Sequence, residues 1–181
     1  MGERPARSTL AQMNRTANVA LGLIQLLLGY EWLTSGLTKL VRGDFPGGLA
    51  DELRDRAHSG YGGFLREVVI PHAAAFGWAI QVGETVVALL LFAGALCAFA
   101  GRCRVLGLAA TGLGALGGCF LTLNFGLSDG ARFFSLVAPD SFDEGVSLDV
   151  LATWLQLVLV GAALTALVPL VRCRRRAPRL A

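Results

Sequence analysis

A chain of 181 residues that is 54% hydrophobic and only 16% charged, with a mean hydropathy of +0.59, lies outside the range of an ordinary soluble domain, in which roughly a quarter of residues carry charge. The net charge of +3 conceals an asymmetry between the two sides of a membrane. Cys97, Cys103, Cys119 and Cys173 show neither C-x-x-C spacing nor paired clusters; this excludes a dithiol redox centre, a zinc site and a disulfide framework, and leaves packing residues or reduced thiols.

The first element follows Arg4, Arg7 and Arg15 and covers 17–41. It exceeds the roughly 7–15 apolar residues of a signal-peptide core and continues through Glu31, Trp32 and Lys39, so a retained membrane helix is expected. The connection 42–72 is too long for a plain turn. Within it LADELRDRAH, after Gly48, predicts a short polar helix, which Gly60, Gly62 and Gly63 break. FLREVVIPH then leads into the second long element, with Phe64, Leu65, Val68, Val69 and Ile70 on the membrane face or folded back over the bundle mouth. The second, third and fourth long elements cover 73–101, 105–126 and 148–171. All four long elements reach the roughly 20 residues that a bilayer core of about 30 Å requires. The connection 127–147 mixes turn residues with an apolar FFSLV core, and the two long connections together are expected to form a cap. The expected fold is therefore an all-α membrane protein, a bundle of four transmembrane helices over 17–171, with basic tails at 1–16 and 172–181.

Charge sets the expected orientation. The two tails and the tight turn hold ten arginines, among them Arg102, Arg104, Arg172, Arg174, Arg175, Arg176 and Arg179, opposed only by Glu3. The long connections carry Asp44, Asp51, Glu52, Asp55, Glu67, Asp140, Asp143 and Glu144. The positive-inside rule places both termini in the cytoplasm of a plasma-membrane protein. The arginines after the last helix abut the bilayer, so anionic lipid, not nucleic acid, is their expected partner.

Gly112, Gly114 and Gly117 match G-x-G-x-x-G, but inside an apolar span and without a preceding strand they form no nucleotide site. Gly114 and Gly118 instead make a small-xxx-small face for a neighbouring helix. Two ionisable residues fall deep inside helices, where each is costly. Glu31 and Glu84 are both expected about 15 Å below the outer ends, at one level, on a rise of about 1.5 Å per residue. Thr34, Ser35, Thr38 and Lys39, Gln81, Thr122 and Asn124, and Gln156 lie at that level or nearer the outer surface. Glu31 and Ser35 share a helical face, as do Gln81 and Glu84. Two readings are open: Lys39 pairs with Glu84 or Glu31 and the amides brace the bundle, or the carboxylates form a proton-accepting or substrate-binding site. His58 and His72, the only histidines, sit in one connection and cannot face each other as haem ligands, and no metal, iron-sulfur or P-loop motif occurs.

GYEWLTSGLTKL, with Gly29, Trp32, Leu33, Gly36, Lys39 and Leu40, then FLREVVIPHAAAF and VGETVVALLLFAG with Gly83 and Glu84, then TLNFGLSDG with Asn124 and Phe125, occur in order. In order, spacing and setting these segments resemble the DoxX/DoxD family of small membrane proteins, which includes the membrane subunit of thiosulfate:quinone oxidoreductase. The resemblance implies a quinone-linked oxidoreductase subunit, acting on thiosulfate or a related small sulfur donor with a second subunit on the outer side. For the quinone so implied, Glu84 or Glu31 is expected to exchange the proton as the catalytic group, Trp32 to stack on the ring, and Lys39, Gln81 or Asn124 to donate to it. The alternatives are a small-solute carrier, for which a repeat or broken helix is not evident, and a non-catalytic scaffold for a soluble redox partner.

Overall fold

A computed structural model describes residues 4–56, 60–101, 103–131, 133 and 147–176. Most of the connection expected to carry FFSLV, residues 134–146 with Asp140, Asp143 and Glu144, lies outside the described residues, as do His58 and Arg102. Helix α1 spans Arg4–Arg42. It begins inside the stretch expected as a basic tail, because Pro5 in a first turn removes only an N–H that would have no partner there. Gly43 ends it with φ of +72°, its N–H reaching the Lys39 carbonyl at 3.1 Å. Only a residue without Cβ takes that left-handed turn cheaply.

Helix α2 spans Phe45–Arg56 and starts four residues before the expected LADELRDRAH helix. The Asp44 carbonyl accepts from Gly47 and Gly48 at 3.1 and 3.0 Å, and Pro46 sits in the first turn, where proline fits. After Gly60 and Tyr61 the chain is helical again. A short α segment at Gly62–Phe64, a π turn at Leu65–Val69 and a 3₁₀ turn at Ile70–His72 lead without a break into α3, Ala73–Ala100. Pro71 cannot donate a backbone hydrogen bond and its ring crowds the preceding turn, which accounts for the wide π turn followed by a tight one.

Helix α4, Arg104–Ser128, follows a tight turn in which Gly101 and Cys103 have φ of +62° and +52°; at Cys103 the conformation is strained, since a Cβ is present. Helix α5 covers Leu148–Arg176 and is opened by Ser147, whose hydroxyl receives the Val150 N–H at 3.4 Å. Three helical segments, Gly62–Ala100, Arg104–Ser128 and Leu148–Leu170, are long and apolar enough to cross a membrane. By length and composition the chain is a multi-pass membrane protein. Its outward faces carry Leu27, Leu89, Leu106, Leu113 and Leu116 well exposed, as lipid contact requires. Helix α1 interrupts its apolar run with Gln25, Glu31 and Lys39, which lowers its hydropathy below that of the other three.

α1 packs along α3, α3 along α4 and α4 along α5. Leu28, Trp32, Val87, Ala88, Leu91, Ala115 and Leu159, drawn from all four, form one buried core. Glycines set the spacing. A Cβ at Gly36 would meet Thr85 and Glu84, one at Gly107 would meet Cys97, and one at Gly114 would meet Leu90 and Leu91. Gly118 faces Gln156 on α5 instead. Gly114 and Gly118 thus share a face of α4 but not a neighbour: α4 packs between α3 and α5, and along that face the first glycine touches α3 and the second α5.

A second cluster joins α2 to the entrance of α3: Leu49, Leu53, Leu65, Val69 and Ala73. Here α2 lies across one end of the bundle, with Pro46 seated on Gly77, where a Cβ would come 2.6 Å from the Pro46 Cα. Gly77→Val is expected to push α2 off this seat and to lower stability by about 1–3 kcal/mol, as overpacking does. Limited proteolysis between α1 and α3 should accelerate in the variant while the far-ultraviolet helical signal is retained.

Candidate functional site

The end of α1 carries Lys39 into the bundle beneath α2. Its ammonium donates to the Glu84 carboxylate and to the Ser35 hydroxyl at 3.0 Å, one helical turn back on the same face. The faces of Phe45 and Phe125 lie 4.9 and 5.5 Å from Nζ, within cation–π range. Glu84 is wholly buried, and its Oε2 finds no partner among the described residues. Gln81, one turn away on the same face, is 1% exposed with its Oε1 also unpartnered. Gln156 on α5 is completely buried, with both amide atoms unpartnered among the described residues. Gly117 packs on Val87 and its neighbour Gly118 on Gln156, so Gln156 lies about one turn from the level of Glu84. The Thr153 hydroxyl donates to that of Thr122 at 2.7 Å. This is a polar layer in an apolar bundle, and its open valences are unusual for a buried interior.

Between this layer and α2 lies a cavity of about 690 Å³, within the range of small-molecule sites. Phe45, Leu49, Leu53, Tyr61, Phe64, Leu65, Val69, Phe76, Ile80, Phe120, Leu121 and Phe125 form its apolar wall. Two polar contacts hold the roof. Arg56, at the end of α2, pairs with Asp129 at the end of α4 and with Glu52 at 2.6 Å. The Tyr61 hydroxyl donates to Asn124 Oδ1 at 2.5 Å, and Asn124 Nδ2 donates to the Phe120 carbonyl at 2.6 Å. Burial pushes the Tyr61 phenol above its ordinary range.

Lys39 and Asn124 line this chamber, while Gln81 and Glu84 are buried and Lys39 reaches Glu84 directly. Trp32 is buried at 5% exposure in the apolar core and is not part of the chamber wall. Glu31 is exposed and does not line the chamber. The expectation that Glu31 and Glu84 share a level does not hold. Gly36 meets Thr85 and Glu84 while Gly29 meets Phe92, so Glu31, between the two glycines, stands further from α2 than Glu84. Counting depth from residue 73 misplaces the register, because the helix leading into α3 already begins at Gly62. Phe45, Tyr61, Arg56, Asp129 and Asp149 contribute to the chamber without having been singled out as site residues. The one local signal was an aromatic residue among helix-breaking glycines.

At the other end of the bundle, Asn18, Leu21, Gln25, Cys97, Arg104 and Thr111 contribute to a cavity of about 350 Å³. The Thr111 hydroxyl there donates to Gln25 Oε1 at 3.0 Å. On α3 the fully buried Leu91 stands between Glu84 and the Gly94 of this cavity, so apolar packing separates the two. Comparisons with family models, curated proteins and solved structures found no match to this chain.

Proposed function

We propose that the chain is the quinone-handling membrane subunit of an oxidoreductase, in keeping with its resemblance to the DoxX/DoxD family. The observation that supports this reading is the apolar, ring-lined chamber with a lysine on its wall and a buried carboxylate behind that lysine. A quinone head needs an apolar slot, hydrogen-bond donors for its carbonyl oxygens and a group that exchanges protons, and the residues present fit. Phe45 and Phe125 offer ring faces, and Lys39 Nζ offers a donor. Asn124 holds the Tyr61 hydroxyl on the wall by accepting its hydrogen bond. Glu84 holds Lys39 in place through one oxygen, has the second unpartnered among the described residues, and in this reading is the group that exchanges the quinol's proton. Gln81 sits beside it as a second polar group. A bound quinone would supply two-electron acceptance. In this reading Trp32 supports the bundle core and Glu31, outside the chamber, takes no direct part. Electrons enter from a partner subunit on the α2 side, with thiosulfate or a related small sulfur compound as donor.

The test uses membranes or nanodiscs holding the chain with its co-purified partners. A quinone analogue should bind saturably, and Glu84→Gln should lower turnover by at least tenfold with little change in analogue binding. Absence of both binding and turnover in the complete complex overturns the reading and favours a scaffold.

The same proposal includes orientation: α1 as a fourth span, both termini in the cytoplasm and α2 outside, from the arginine asymmetry. Cys103 is exposed in the turn opposite α2 and serves as an internal control. With Asp51→Cys, an impermeant maleimide added to intact cells should label position 51 at once and Cys103 only after the membrane is opened. The reverse order would invert the topology.

A further inference from the structure

The charges on the chamber wall narrow what enters it. Among the described residues the wall includes two basic side chains, Lys39 and Arg56, and four acids, Asp44, Glu52, Asp129 and Asp149. Both basic groups are already engaged. Lys39 pairs with Glu84 from behind, and Arg56 is shared between Glu52 and Asp129. Asp44 and Asp149 form no ion pair among the described residues. Asp149 is only partly exposed, in the first turn of α5, and its surroundings include Asp129 and Glu31 as well as Arg56. Among the described residues the chamber wall therefore presents surplus negative charge.

The rings add a second preference. Phe45, Tyr61, Phe64, Phe76, Phe120 and Phe125 all line the space, and two of them already receive the Lys39 ammonium on their faces. A ring face attracts cations and repels anions because its quadrupole is negative there. Surplus carboxylate and ring faces in one apolar cavity act in the same sense, and in a low-dielectric site that sense is amplified.

We infer that the chamber binds lipophilic organic cations carrying aromatic groups, with Asp149 as their counter-charge, and rejects anions of the same size. This goes beyond the quinone reading and does not depend on it, since a neutral ring and a cationic one both suit the wall. It also places any anionic sulfur donor outside the chamber, on a partner.

The experiment compares tetraphenylphosphonium with tetraphenylborate, ions of nearly the same shape and opposite charge, on the full chain in nanodiscs, with empty nanodiscs subtracted for lipid partition. Tetraphenylphosphonium should bind saturably and tetraphenylborate should not. Asp149→Asn should weaken the cation at least tenfold, and Phe45→Leu should weaken it several-fold. Thermal unfolding of each variant checks that it is folded; if Asp149→Asn fails that check, Asp44→Asn and Phe45→Leu carry the comparison. Equal or stronger saturable binding of tetraphenylborate, or folded variants that all keep full cation affinity, overturns the inference. Binding of a quinone analogue is measured on the same particles. Cation binding without analogue binding removes the quinone reading alone, and the converse removes this one alone.

Discussion

Lys39→Met should be among the most damaging single substitutions in the chain, lowering stability by about 3–5 kcal/mol, the range seen when one partner of a buried ion pair is removed. Glu84 is wholly buried while the Lys39 side chain keeps 20% of its exposure, so the substitution leaves the carboxylate in an apolar interior without its counter-charge. The cost belongs to the orphaned charge more than to the bond. The double variant Lys39→Met with Glu84→Gln should therefore recover most of the loss, since a neutral amide needs no cation and an apolar or uncharged pair of similar volume is often tolerated. Reversible denaturation in mixed micelles, read by tryptophan fluorescence and helical signal, gives the four stabilities of the cycle. A Lys39→Met variant as stable as the parent would mean that the pair contributes nothing. A double variant no better than the single would mean that the lysine stem and its contacts with Phe45 and Phe125, not the charge, carry the effect.

Gly36→Leu is expected to come close to it. A Cβ at Gly36 would lie 3.0 Å from the Thr85 backbone nitrogen and 3.2 Å from the Glu84 Cβ. Backbone cannot yield as a flexible side-chain end can, so α1 must move away from α3. Overpacking of this kind costs about 1–3 kcal/mol, and here it also draws Lys39 away from Glu84, one turn from the clash. The variant should lose stability and, in the same preparation, quinone-analogue binding. Gly36→Ala introduces the smallest version of the same clash and should fall between parent and Leu. Gly47→Leu, where a Cβ meets nothing within 4 Å, controls for the loss of a glycine in a helix, and it should leave analogue binding largely intact.

Helices were the legible part. The boundaries of α3, α4 and the start of α5 follow from where apolar runs meet Gly101, Gly130 and Ser147, and such punctuation is local chemistry that needs no tertiary partner. The pairing of Lys39 with one of two carboxylates was also readable, since a charge buried in an apolar bundle requires an opposite one. Which carboxylate was not. Two helices of known length can slide past each other by a turn without altering either composition, and only the contacts of Gly29 and Gly36 with α3 fix the register that brings Glu84 to Lys39 and leaves Glu31 on the outside.

Composition and periodicity by themselves determined that the chain is helical and multi-pass, because burying some twenty apolar residues per segment is a one-dimensional property of the sequence. The chamber was decided by the tertiary structure. Its walls come from five helices and from the segment between α2 and α3, so no single stretch contains it. Phe45 and Tyr61 reach it because α2 folds back across the bundle on the Pro46 and Gly77 contact, and Trp32, one residue from Glu31 and as aromatic as either, is turned into the core instead. Whether a ring faces a cavity or a neighbour depends on helix rotation and crossing, which arise from the packing of all the helices together and are carried by no local pattern.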